Sequence, residues 1–261
     1  MNVVTKLLAS GAFSIITVSD KRYSLDRATR DVTLRLALLS LVLLALSALA
    51  FWPAYLSKFR GADVYTHVHA SLGAAWLLLL LVQPLLIRAR RLQWHRWVGR
   101  AAAAIGAAFV VASILIAHRS AARMDPTQFS REGYSLYLPF VMAAIFTAAF
   151  VLGIAWRAVP AVHGRFMACT ALPLLDPLFS RILYYYFPPL PALFLYQIPA
   201  FIIVGGLLVA LWRSIPLRSP GRQTFLAFSL ATVVALLLFF VTPYSTDWFE
   251  FVSWFRFLPL T

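Results

Sequence analysis

The chain has 261 residues, 62% of them hydrophobic and 12% charged. A soluble domain carries about 25% charged residues, and here the charges lie between long apolar stretches. That excludes an ordinary soluble domain, and the lack of short alternating strands excludes a closed β-barrel, which leaves an all-α, polytopic transmembrane helix bundle. Net charge is +14, from 23 Lys and Arg against 9 Asp and Glu. Its placement beside apolar spans assigns it to anionic lipid headgroups and membrane threading, with no nucleic-acid partner.

Residues 1–33 read as a cytoplasmic N-terminal segment. The apolar stretch from Leu7 to Val18 is too short to cross and is expected to lie along the interface. Seven apolar runs follow within a transmembrane domain over 34–242, at 34–55, 67–87, 97–118, 135–156, 163–186, 190–212 and 223–242. Each is near the ~20 residues that a bilayer core demands. The fifth is unusual in carrying Pro173, Asp176, Pro177 and Arg181, and its prolines predict a kink. Gln83 and Gln197 stand beside Pro84 and Pro199, where they are expected to satisfy backbone groups those prolines free. Residues 243–261 form an aromatic tail, with Trp248, Phe249, Phe251, Trp254, Phe255 and Phe257. It predicts a short helix on the membrane surface, or a docking face for a membrane-protein partner.

Seven crossings put the termini on opposite sides. One set of loops holds 16 Lys and Arg, including Arg88, Arg90, Arg91, Arg96 and Arg100, and the other holds 7. The positive-inside rule then places the N-terminus in the cytoplasm and the C-terminus outside. Cys169 is the one cysteine, so there is no intrachain disulfide and no cysteine cluster, and its apolar surroundings predict simple packing.

The five histidines sort by depth. His95 and His163 fall at the cytoplasmic ends of the third and fifth runs, His67 and His69 at the outer end of the second, and His118 at the outer end of the third. Low-spin haem b takes two imidazoles from facing helices. His95 with His163 would form an inner pair, and His69 with His118 an outer one. His67 and His69 point about 200° apart on a helix, so they cannot share a site. His69 is preferred because it falls on one stripe with Gly73, Trp76 and Gln83. The stripe His95, Gly99, Ala102, Gly106 and Ser113 on the next helix is small enough to admit a flat ring or another helix. Interfacial anchoring by His and Trp among arginines explains the same placement without a cofactor. A further arrangement, with His67, His69 and His118 beside Asp63, would make an outer zinc hydrolase.

Asp176 lies about 20 Å along its helix from His163, deep enough that a charge marks either a functional path or a structural pair with Arg181. Nucleotide-binding and serine-hydrolase motifs are absent from the sequence. The last run has no lysine for a retinal Schiff base, and no histidine of the kind carried there by the adiponectin-receptor and alkaline-ceramidase zinc hydrolases.

Two blocks, HVHASLGAAWLLLLLVQPLLIRARRLQWHRWVGR and WRAVPAVHGRFMACTALPLLDPLFSR, resemble a family of bacterial membrane proteins known as a domain of unknown function. Its pattern has a His opening one helix, an H-R-x-x-G-R box opening the next, and an H-x-R-x-M box two helices later, followed by an Arg. These match His69 (or His67), then His95, Arg96, Gly99 and Arg100, then His163, Arg165 and Met167, then Arg181. The resemblance covers about residues 65–185 and implies a four-helix core in a bacterial inner membrane, with no activity attached. A looser likeness of topology is to di-haem cytochrome b reductases. It implies one haem near each surface, although the fourth run here lacks an outer histidine.

Overall fold

The computed structural model describes residues 31–125 and 133–261, so the expected interfacial helix near the N-terminus lies outside the described residues. Among those residues every regular element is helical, and there is no strand. The helices are α1 (Asp31–Phe51), α2 (Val64–Arg88), α3 (Leu92–Arg123), α4 (Tyr137–Ala155), α5 (Pro160–Cys169), α6 (Leu172–Tyr186), α7 (Ile198–Arg213), α8 (Arg222–Leu237) and α9 (Thr246–Phe255). Six spans are long and apolar enough to cross a bilayer, counting Pro160–Tyr186 and Arg222–Tyr244 as one span each. The chain is therefore a multi-pass membrane protein.

The sixth expected run, 190–212, is shorter than its sequence suggests. Pro188, Pro189 and Pro191 lack backbone N–H groups, so α7 starts only at Ile198 and runs 16 residues. The fifth run is cut in two. Pro173 disfavours helical geometry in the residue before it and cannot donate, and the chain turns at Thr170–Ala171 before α6 begins. Thr170 holds that break: its hydroxyl donates to the Met167 carbonyl at 2.6 Å and accepts from the Trp76 indole N–H at 3.0 Å.

Helices α2 and α3 form the most extensive pair. Their two stripes interlock, and the flat ring that enters the small-residue face of α3 is Trp76. A Cβ added at Gly106 would stand 3.0 Å from its indole, and one at Gly99 would meet the Gln83 amide at 3.7 Å. Helix–helix packing thus accounts for the glycines. Trp76, Ala102, Phe109 and Phe146 make one buried cluster. A larger one joins α4, α5, α7 and α8 around Phe166, Phe225 and Leu208.

Helix α1 is the least buried span. It is tied down at a freed carbonyl: Pro84 cannot donate to Leu80, and Ser40 of α1 donates to that carbonyl at 3.2 Å. Gln83 was expected to serve this kind of role, but its Oε1 is buried without a partner. The aromatic tail is helical, as expected, but half of it is core. Trp248, Val252 and Phe255 pack against Ala121, Leu136, Tyr137 and Phe239, while Trp254 and Phe257 stay exposed.

Candidate functional site

Helix α3 runs 32 residues, and His95 and His118 lie near its two ends, about 35 Å apart at 1.5 Å per residue. The five histidines therefore divide between the two ends of the bundle, as their sequence positions require.

At the arginine-rich end, two imidazoles converge. His95 comes from the first turn of α3 and His163 from the first turn of α5, with ring centres 6.5 Å apart and planes at 85°. The short, tight links before these helices create the convergence. Arg90 adopts a positive φ of 58° in the α2–α3 turn, and Pro160 starts α5 only a few residues after α4 ends. His163 Nδ1 lies 2.7 Å from the Gly153 carbonyl of α4, so it carries the proton and leaves Nε2 as a free lone pair. His95 Nδ1 is buried without a hydrogen bond, and so is Gln83 Oε1 on the neighbouring helix. Two orphaned polar atoms beside a second imidazole mark a place where the protein alone does not complete the bonding.

A Cβ added at Gly164, next to His163, would meet nothing within 4 Å. Trp94 and Trp97 flank His95 and are exposed, with the Arg100 guanidinium 4.9 Å from the Trp97 ring centre. Arg165 of the H-x-R-x-M box caps another helix: it donates to the Ser214 hydroxyl at 2.8 Å and to the Ser214 carbonyl at the end of α7. Met167 lies against Gly153, where an added Cβ would come within 2.8 Å of its sulfur.

At the opposite end the three histidines go to three separate places. His67 Nδ1 meets the Tyr55 hydroxyl at 2.8 Å and its ring tilts against Phe59. His69 stacks on Phe109 and approaches the Ser113 hydroxyl at 3.4 Å. His118 is buried, bonded through Nδ1 to the Thr261 hydroxyl at 2.7 Å, and faces the edge of Phe255. His69 and His118 thus have separate partners, and the expected His67–His69–His118 zinc set is not grouped. Among the described residues no three His, Cys, Asp or Glu side chains are grouped to hold a metal ion. The reason is geometric: His67 and His69 point apart on α2, and the tail folds back to cover His118.

Asp63, the proposed fourth member of that set, does other work. It caps α2 by accepting from the Thr66 backbone N–H at 3.0 Å, and it pairs with Arg123 at 2.9 Å and Arg119 at 3.5 Å. The Thr66 backbone bond, helped by the Thr66 hydroxyl and the two arginines, holds its carboxyl below the usual aspartate range against the opposing effect of burial.

The Asp176–Arg181 pair expected on the fifth run does not close. Five residues on a helix turn about 140°, which carries the two side chains to different faces. Arg181 donates to the Pro177 carbonyl at 3.0 Å and lies 4.7 Å from the Phe51 ring centre of α1. Asp176 is 4% exposed, and its Oδ1 has no partner. Cys169 is fully buried in the large apolar cluster.

The sequence reading missed the Gly153 carbonyl and the orphaned Gln83 oxygen. The first carries no side-chain signal at all; the second had been assigned to a neighbouring proline. Comparison with family models, with curated proteins and with solved structures returns no match to this chain.

Proposed function

We propose that the chain is a seven-crossing protein of a bacterial inner membrane, N-terminus in the cytoplasm and C-terminus outside, that binds a haem or a single metal ion between His95 and His163 and acts as a redox component at the cytoplasmic face. The convergence of the two imidazoles carries this reading. An imidazole nitrogen bonds a metal at about 2 Å and lies roughly 1 Å from its ring centre, so two rings across one metal stand about 6 Å apart. The observed separation is 6.5 Å. The Gly153 bond supports it further, because a ligating histidine characteristically donates its other N–H to a carbonyl.

The threading rests on the basic residues around the α2–α3 turn and the α4–α5 turn. For the sixth of the seven crossings, α7 and the turn Leu193–Tyr196 together reach roughly 30 Å, the thickness of a hydrocarbon core. Residence in a bacterial inner membrane rests on the boxes around His95 and His163. One site rather than two follows from the separated histidines at the other end.

A second reading, a non-catalytic lipid-binding or assembly protein, is favoured by one observation: Trp94 and Trp97 are 60% and 58% exposed on either side of His95. Anionic headgroups would suit that surface. A reduced-minus-oxidised absorption spectrum of protein purified in mild detergent, with metal content on the same sample, separates the two. A haem b difference signal or a stoichiometric metal, lost in both His95→Ala and His163→Ala, is expected. A flat spectrum and no metal in folded protein would overturn the site and leave the lipid-binding reading.

A further inference from the structure

Asp176 belongs to none of these arrangements. It lies in the middle third of the span Pro160–Tyr186, one turn past the helix break, at 4% exposure and with Oδ1 unbonded. An unpaired carboxylate in that setting would carry a desolvation penalty of several kcal/mol, so the group must be neutralised in place. Arg181 does not do so by contact, because its guanidinium is engaged by the Pro177 carbonyl and the Phe51 ring.

The walls around Asp176 decide what does. It borders a small cavity of about 10 Å³ whose open surface is apolar, and such a cavity stays dry. The neighbouring helices contribute Met142 and Ile145 from α4, Phe201 and Val204 from α7, and Thr232 and Leu236 from α8. None of these is ionisable, and the one other oxygen-bearing side chain is the buried Thr232. The charged group that acts on Asp176 from its own helix is Arg181. A metal cation needs several oxygen ligands, and two side chains cannot supply them. A proton needs one.

We propose that Asp176 is an intramembrane proton-binding site: it holds one exchangeable proton in an apolar, non-ionisable pocket. Pro177, inside α6, supplies the setting. Pro177 leaves the Pro173 carbonyl without its helical donor, so the backbone beside Asp176 is polar where an unbroken helix would not be. Broken helices beside a buried carboxylate are a recurrent way to place a proton or ion within a bilayer. This site is independent of the histidine pair, and either can fail without the other.

Infrared spectroscopy of the full chain in liposomes at neutral pH tests it. The wild-type minus Asp176→Asn difference should show the carbonyl stretch of a protonated carboxyl, shifted in D₂O. Thr232→Val should leave that band in place, because the carboxyl itself holds the proton. A difference containing only carboxylate stretches would overturn the proposal, and so would loss of the band on adding sodium or potassium at fixed pH, which would make the occupant a metal cation. If Asp176→Asn does not fold, carbodiimide modification of the wild type replaces it, read by peptide mass spectrometry. An adduct at Asp176 that declines as pH rises supports the site; adducts confined to carboxyls such as Asp247 and Glu250 overturn it.

Discussion

The two ends of the bundle use the same residue type in opposite ways. At the end bearing His67, His69 and His118, each imidazole is bonded through Nδ1 to a hydroxyl and each ring packs on a phenyl ring, although His118 keeps a buried Nε2 without a partner. At the arginine-rich end His95 and His163 face each other, and a buried nitrogen of one is left open. Histidine at a helix end therefore means little by itself. What distinguishes a candidate site is convergence of two rings from different helices; an unbonded buried nitrogen alone does not, because His118 carries one too.

The sharpest test of this contrast is His118. If it is a structural residue, His118→Ala should lower stability by about 2–4 kcal/mol, since it empties a buried site against Phe255 and strands the Thr261 hydroxyl. Unfolding in detergent by circular dichroism would measure it, and any cofactor signal should survive. A variant as stable as wild type but stripped of that signal would reverse the assignment of the two ends.

Asp63 should come next. Asp63→Ala removes an N-cap and two arginine partners and should lose about 1–2 kcal/mol by the same measurement. Because folding lowers this carboxyl below its ordinary range, its contribution is complete above that range and is lost as pH falls through the lowered value. Asp63→Asn should flatten that acidic limb of the stability profile. An unchanged limb would show that the cap is not what responds to acid.

Much of this architecture can be read from the chain. The apolar runs mark the spans because a bilayer leaves no alternative to intrahelical hydrogen bonding, and the two stripes on α2 and α3 mark their shared face because helical spacing is fixed. The divergence of His67 and His69 follows from the same geometry. Three features were not legible. Prolines signal a disturbance, but whether the helix bends or breaks, as it does at Thr170–Ala171, depends on partners such as Trp76 that lie far away in sequence. The aromatic tail has a composition that suits a membrane surface and a protein core equally, so its docking against Ala121 and Tyr137 needed the fold. Thr232 gave no signal within an apolar run, and it matters only because α8 brings it to the cavity that Asp176 borders.

The smallest expected effect sharpens the comparison most. In metal-stripped protein, His95→Leu should change stability by no more than about 0.5 kcal/mol, or raise it, because it removes a buried nitrogen that nothing bonds. In protein loaded with its metal or haem the same substitution should be destabilising, since a ligand bound to the native state stabilises it and half of the binding site is gone. His163→Leu should behave differently, costing about 1 kcal/mol even without metal because it orphans the Gly153 carbonyl. Equal losses for His95→Leu in loaded and stripped protein would make it a packing residue like His118, and the two ends would then differ in geometry but not in role.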